Sequence, residues 1–238
     1  MVGAVPQYLS LGLIIEEGFA LSDLHRVMQS LAATAAESGV TVVTGDTKVV
    51  AHGQTDGIYI NTSGIGRVQP EACLGFDRIA EGDAVLISGT IGDHGLAVMA
   101  NREGLEFRTT ITSDVAGVAG VANRLVREFG SQVRFLRDPT RGGLAGVLVD
   151  IAANTGREIL VHEPAIPCRP EVKAAADVLG LDLLNVANEG KFVAVVAGAA
   201  AVDALARLRE HPLGQSAAII GHIGGSRPTA RVVMQTAI

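Results

Sequence analysis

Aromatic side chains are scarce in this chain, at 3%, and charged ones are sparse, at 18%. Sparse charge beside 48% apolar residues excludes a disordered chain, which needs the opposite balance. Basic residues are in the minority, with 19 Lys and Arg against 25 Asp and Glu and a formal net charge of -6. That excludes a broad nucleic-acid-binding face. It leaves room for a nucleotide, whose phosphates are held by backbone N–H groups and a metal ion. There are only two cysteines, Cys73 and Cys168, far apart and without metal-ligand spacing. They read as reduced thiols of a cytoplasmic protein rather than as a disulfide framework. The histidines lack partner spacing, which argues against a His-based metal site. The longest apolar runs are interrupted by Gly, Thr and Asp, and the start, MVGAVPQYLS, has no basic n-region. No membrane span and no signal peptide are expected.

What the chain has in quantity is glycine, 29 residues of 238, among Ala and Val. That mix suits an α/β protein with many tight turns. A helix is expected from Ser22 to Ser38, with Ser22 as its cap, Leu24, Val27, Met28, Leu31 and Ala35 on one face, and Gly39 as its stop. Val40 to Val43 reads as a short buried strand running into a loop, Gly45-Asp46-Thr47-Lys48. Ile58 to Thr62 alternates as a strand ended by Gly64 and Gly66. Residues 71–80 read as a linker, giving domains 1–77 and 78–238. Further strands are expected at 84–87, 133–136, 158–161, 192–196, 217–220 and 231–235. Helices are expected up to Arg102 and at 113–129, 140–154, 170–179 and 200–209. Strands and helices interleave, so the fold class is α/β or α+β. No short internal repeat is visible.

Four Gly-containing segments can carry chemistry. Asp46 and Lys48 of the first suit a metal ion and a phosphate, although Gly-Asp also makes ordinary solvated turns. Arg137-Asp138-Pro139-Thr140-Arg141-Gly142-Gly143 follows a strand and opens a helix, so it reads as an anion cradle or as a turn capped by Thr140. It is not a Walker A loop, whose spacing is absent. Asn188-Glu189-Gly190-Lys191 offers a base and a phosphate partner, or a solvated ion pair. Gly92-Asp93-His94-Gly95 offers His94 as a base, or simply a His at a helix start.

Taken together, the stretches 3–19, 38–50, 56–66, 87–105, 137–148, 179–196 and 217–224 resemble the HypE family of PurM-like hydrogenase maturation factors, in that family's order. RDPTRGG joined to ANEGK and GDTKVV is a specific combination. The resemblance implies a two-part fold, with a first domain feeding a barrel-like dimer core and an α/β second domain packed over it. It implies an ATP- and Mg²⁺-dependent carbamoyl dehydratase. Such an enzyme turns a carbamoyl group on a C-terminal cysteine sulfur into a thiocyanate, the source of the cyanide ligands of a nickel–iron centre. The implied partners are a second copy of the chain, HypF and a HypC–HypD scaffold. On the matched motifs, Asp46 holds metal and Lys48 neutralises phosphate. Thr47, Arg137, Asp138, Arg141, Gly142, Gly143 and Asn188 line the nucleotide or tail channel. Glu189 is the base, with Lys48 the second catalytic residue.

The chain also departs from the pattern. The family's Gly-rich, Asp-bearing N-terminal portion has no counterpart before GAVPQYLS, so the first domain is expected to be incomplete and to expose a sheet edge. Nothing matches the closing Pro-Arg-Ile-Cys tail, so the chain is expected to lack the substrate thiol. Leu183 stands where the family usually has Pro. Three readings follow: a carbamoyl dehydratase, inactive on itself in this form; a related PurM-like kinase or synthetase; or a non-catalytic dimerisation or scaffold module.

Overall fold

The computed structural model describes residues 1–102 and 111–236, so the last three residues of the matched stretch 87–105 lie outside the described residues. The architecture is mixed α/β, as the interleaving predicts. The chain forms two compact units, Ala4–Val68 and a second made of Met1–Gly3 with Gln69–Ile238.

The smaller unit is a three-stranded sheet. Strand β1 (Ala4–Glu16) lies between β2 (Thr41–Val50) and β3 (Ile58–Val68). β1 and β2 run parallel, which requires a crossover, and helix α1 (Leu21–Glu37) provides it. Alternate residues Leu11, Leu13 and Ile15 of β1 face the helix and pack with Leu24, Met28 and Leu31. The helical periodicity therefore finds its partner face.

Three expectations for this unit need correction. α1 is capped at Ala20, with no side-chain cap, and Ser22 sits inside the first turn. β2 is not a short buried strand followed by a loop. It is ten residues long, it contains Gly45 to Lys48, and Val43 is 57% exposed. Among the described residues it pairs only with β1, so it has one neighbour rather than two. β3 runs on through Gly64 and Gly66, since pairing with β1 outweighs the weak strand preference of glycine.

The larger unit is built on a six-stranded sheet of order β5-β7-β4-β8-β6-β9. The strands are β4 (Ala84–Ile87), β5 (Val133–Arg137), β6 (Arg157–His162), β7 (Val193–Val196), β8 (Ala218–Ser226) and β9 (Arg231–Gln235). β6 and β9 pair parallel and the other neighbours antiparallel. The helices are α2 (Asp93–Arg102), α3 (Ala119–Phe129), α4 (Gly143–Thr155), α5 (Pro170–Leu179) and α6 (Ala201–Arg209).

Central strands covered on both faces should be apolar throughout, and AVLI and VAVV of β4 and β7 are. Val85, Ile87, Val193 and Val195 pack on one face with Leu144, Val147 and Ile151 of α4. Leu86, Ala194 and Val196 pack on the other with Leu125 and Val126 of α3 and Ala204 and Leu208 of α6.

Three boundaries differ from expectation by more than one residue. α3 begins at Ala119, not at Ser113, because the Ser113 and Asp114 side chains are engaged elsewhere (below). α4 begins at Gly143 rather than Thr140. β8 extends to Ser226.

Candidate functional site

Sheet register brings three of the four candidate segments together. Ile87, at the end of β4, and Arg137, at the end of β5, both lie opposite Val193, the first residue of β7. The turn after β4, the loop after β5 and the segment before β7 therefore share one end of the larger sheet. Gly92-to-Gly95, Arg137-to-Gly143 and Asn188-to-Lys191 are those three segments.

Asn188 ties them together. It is wholly buried. Its side-chain oxygen accepts from the Gly92 N–H (2.8 Å), and its amide nitrogen donates to the carbonyls of Val186 (2.8 Å) and Pro139 (3.3 Å). Its backbone N–H donates to the Pro139 carbonyl (3.1 Å). The Thr140 hydroxyl lies 3.0 Å from both the Asn188 carbonyl and the Asp138 carboxylate. Both ends of the buried amide are thus engaged by the protein's own backbone. Asn188 is a brace between the three segments.

The loop after β5 is braced too. Gly143 presses against the backbone of residues 184–186, and the Ala145 N–H at the start of α4 donates to the Leu184 carbonyl (2.9 Å). Part of the expected anion cradle is thus used by the chain itself. Arg137 pairs with Asp150 of α4 (2.6 Å). Asp138, Arg141 and Gly142 stay exposed. Glu189 is half-buried, and among the described residues its carboxylate has no ion-pair partner.

Around the Gly92 turn, Asp93 is buried and accepts from the Thr90 hydroxyl (2.6 Å) and from Arg169. His94 Nδ1 shares a hydrogen bond with the Ser113 hydroxyl (2.8 Å). Lys191 is not a solvated turn residue, being buried and paired with Asp114. Sequence reasoning missed Asp114, Arg169 and Thr90. The signal was faint, a Ser-Asp pair that reads as an ordinary helix start.

The first candidate segment belongs to the smaller unit. Asp46 and Lys48 lie across from Gly12 and Ile14 of β1, and alternate from Leu11, Leu13 and Ile15, which face α1. Both therefore project from the sheet face away from the helix. Asn61 and Tyr59 of β3 lie opposite the same two β1 residues and share that face. Asp46 is exposed, and one of its oxygens accepts from the Thr47 N–H (2.8 Å). Among the described residues no three His, Cys, Asp or Glu side chains converge as a metal cage. A single exposed carboxylate still fits Mg²⁺, which binds through one or two carboxylates together with phosphate oxygens and water.

Residues 1–68 match the family of the AIR synthase related protein, N-terminal domain, and residues 80–233 that of its C-terminal domain. A crystal structure of a HypE–HypF complex superposes on all of this chain with a TM-score of 0.95 at 46% identity, the chain covering 76% of it. The chain belongs to the HypE family of AIR synthase related proteins. A structure of HypE in complex with ATP matches equally, with a TM-score of 0.95, 45% identity, and coverage of 100% of this chain and 72% of that one. Carbamoyl dehydratase HypE of Rhizobium leguminosarum bv. viciae is 53% identical over 223 residues, which are 94% of this chain and 64% of the relative. Its Escherichia coli counterpart is 43% identical over 221 residues, 93% of this chain and 65% of the relative. The chain thus spans a little under two thirds of the curated relatives' length. Thiamine monophosphate kinase from Aquifex aeolicus, at 17% identity and a TM-score of 0.72, shares the fold alone with this HypE family member. Among the described residues no helix is long and apolar enough to cross a membrane.

Proposed function

We propose that this chain carries the nucleotide-binding and catalytic framework of an ATP-dependent carbamoyl dehydratase, which converts a protein S-carboxamide to a thiocyanate for hydrogenase maturation. The observation that carries the reading is the match of a HypE–ATP complex to the whole of this chain. It is supported by a surface pair, Asp46 and Lys48, on one open sheet face.

The chemistry explains the residue types. An amide oxygen is a poor leaving group, and bound Mg²⁺-ATP supplies the phosphoryl group that makes it a good one. Asp46 would hold the metal, and Lys48 would neutralise phosphate charge as a compact cation. Arg137, Asp138, Arg141 and the Gly142-Gly143 backbone would border the phosphate or the incoming thiocarbamate. Glu189 would take the amide protons. Loss of the first accompanies phosphorylation of the oxygen, and loss of the second accompanies departure of phosphate and formation of the nitrile. The sum is carboxamide plus ATP giving nitrile, ADP, phosphate and a proton.

HypF would supply the carbamoyl group, in keeping with the HypE–HypF complex of a relative. A HypC–HypD scaffold would receive the cyanide, and the working unit would be a homodimer. The two unpaired cysteines suit the reducing cytoplasm.

The test is Mg²⁺-ATP calorimetry on this chain and on Lys48→Ala. Saturable binding is expected, and loss of one charge-assisted contact should weaken it by about tenfold or more. No saturable binding by the unaltered chain would refute the reading for this chain, and equal binding by Lys48→Ala would remove Lys48 from the site.

A further inference from the structure

Residues 112–116 lie between α2 and α3 without forming a helix, and three consecutive residues are tied down. The Thr112 carbonyl accepts a long hydrogen bond from Arg169 (3.5 Å). The Ser113 hydroxyl shares a hydrogen bond with His94 (2.8 Å). The Asp114 carboxylate pairs with Lys191. The segment is therefore a strap fastened across the start of β7.

The fastening centres on Glu189. The Lys191 side chain is only 2% exposed, against 33% for Asp114. Its ammonium also donates to the Glu189 carbonyl (3.0 Å). Between the two lies Gly190, with φ +67. A Cβ there would sit 2.0 Å from the Asp114 carbonyl oxygen and 3.0 Å from the Ala116 nitrogen. The strap thus rests directly on the Gly190 backbone, and only glycine fits beneath it. An ammonium is costly to bury unless it is paired and hydrogen-bonded, and Lys191 is both.

We propose that Asp114 and Lys191 are positioning residues for Glu189. Lys191 fixes the Glu189 peptide through its carbonyl, Asp114 fixes Lys191, and Gly190 lets the strap close over the turn. The inference rests on the reading of Glu189 as the base. A base works only within hydrogen-bond reach of its proton, and a displacement near 1 Å costs on the order of 100-fold in rate. Nothing in this role requires Asp114 or Lys191 to touch substrate.

The experiment uses the full chain with Mg²⁺-ATP and an S-carbamoyl-cysteine peptide, comparing Asp114→Asn, Glu189→Gln and the two combined. Asp114→Asn is expected to lower kcat by about 100-fold while leaving the KM for ATP unchanged. In the Glu189→Gln background it should cost nothing further, because there is no longer a base to position. An equal fold-loss in both backgrounds would overturn the proposal and make the pair merely structural. Full turnover by Glu189→Gln alone would instead sink the base reading, and the proposal with it.

A second measurement needs no turnover and tolerates loss of folding in a single variant. The protein is labelled with [δ-¹³C]Glu, and the Glu189 line is assigned by its absence from Glu189→Gln. In Asp114→Asn/Lys191→Met, which leaves no lone buried charge, the Glu189 line should shift and broaden. An unchanged line would overturn the proposal.

Discussion

Glu158 is an acid that the fold keeps charged. It lies buried on β6 and accepts from Arg231 and from Arg227 (3.0 Å), two residues of the chain's last stretch. Hydrogen bonds from Arg231 and then Arg227 hold its carboxyl below the ordinary carboxylate value, against the opposing pull of burial. With the folded value the lower one, the unfolded chain takes up a proton first as pH falls. Glu158 therefore contributes stability above the ordinary carboxylate pKa of about 4.3, and that contribution fades as pH drops below it. Urea midpoints for the native chain and Glu158→Gln should accordingly differ most near neutral pH and converge towards pH ~3. A gap independent of pH would refute the assignment. Glu158 shows what the sequence hides at this scale. Its partners lie about 70 residues away, and no local pattern marks them. Asn188 is the same case, because its partners Gly92 and Pro139 come from two distant loops and it reads locally as a turn residue.

Elements were legible where one local pattern decided them. α1 has its apolar face at helical spacing, α5 opens with Pro170, and β4 and β7 are short uninterrupted apolar runs. β2 was not legible, because Gly-Asp-Thr-Lys carries the composition of a turn. Pairing with β1 overrides that composition, and the Leu11 carbonyl comes so close that a Cβ at Gly45 would lie 2.8 Å from it. The start of α3 was misread because Ser113 and Asp114 look like a cap, while His94 and Lys191 claim their side chains. Long-range contacts decided both elements. The start of α4 gives a test at this scale. Gly143 has φ +62, and a Cβ there would meet backbone atoms of Leu184, Val186 and Asn185 at 2.4, 2.7 and 2.8 Å. Gly156, at the other end of the same helix, has φ +64 and open space around it. Gly156→Ala should therefore cost only the left-handed backbone penalty, about 1 kcal/mol. Gly143→Ala adds an overpacking clash and should cost about 3 kcal/mol or more by urea denaturation. Equal losses at the two ends would show that the loop after β5 yields where the contacts say it cannot.

At the scale of the molecule, the smaller unit presents the feature most in need of a partner. Among the described residues β2 and β3 are bare edges, and Val49 and Ile65 on them are 65% and 66% exposed. A long edge strand with apolar side chains is a template for pairing with another chain unless charge or a bulge blunts it. Few charges lie along these edges. Asp46 and Lys48 sit on one face of β2, and Arg67 lies near the end of β3. The free N–H and C=O groups of the edges and the exposed apolar side chains would be satisfied together by a second copy of the sheet. Static light scattering should then show the mass rising above that of a single chain as concentration increases. Ile65→Lys puts a charge on the β3 edge where a partner strand would have to approach. It should move association to higher concentration while leaving the circular dichroism spectrum unchanged, since Ile65 is exposed and contributes little to the core. A native chain that keeps single-chain mass at every concentration would mean these edges are tolerated as they stand. Association that Ile65→Lys leaves unaltered would move the interface off the β3 edge and onto β2 or the larger unit.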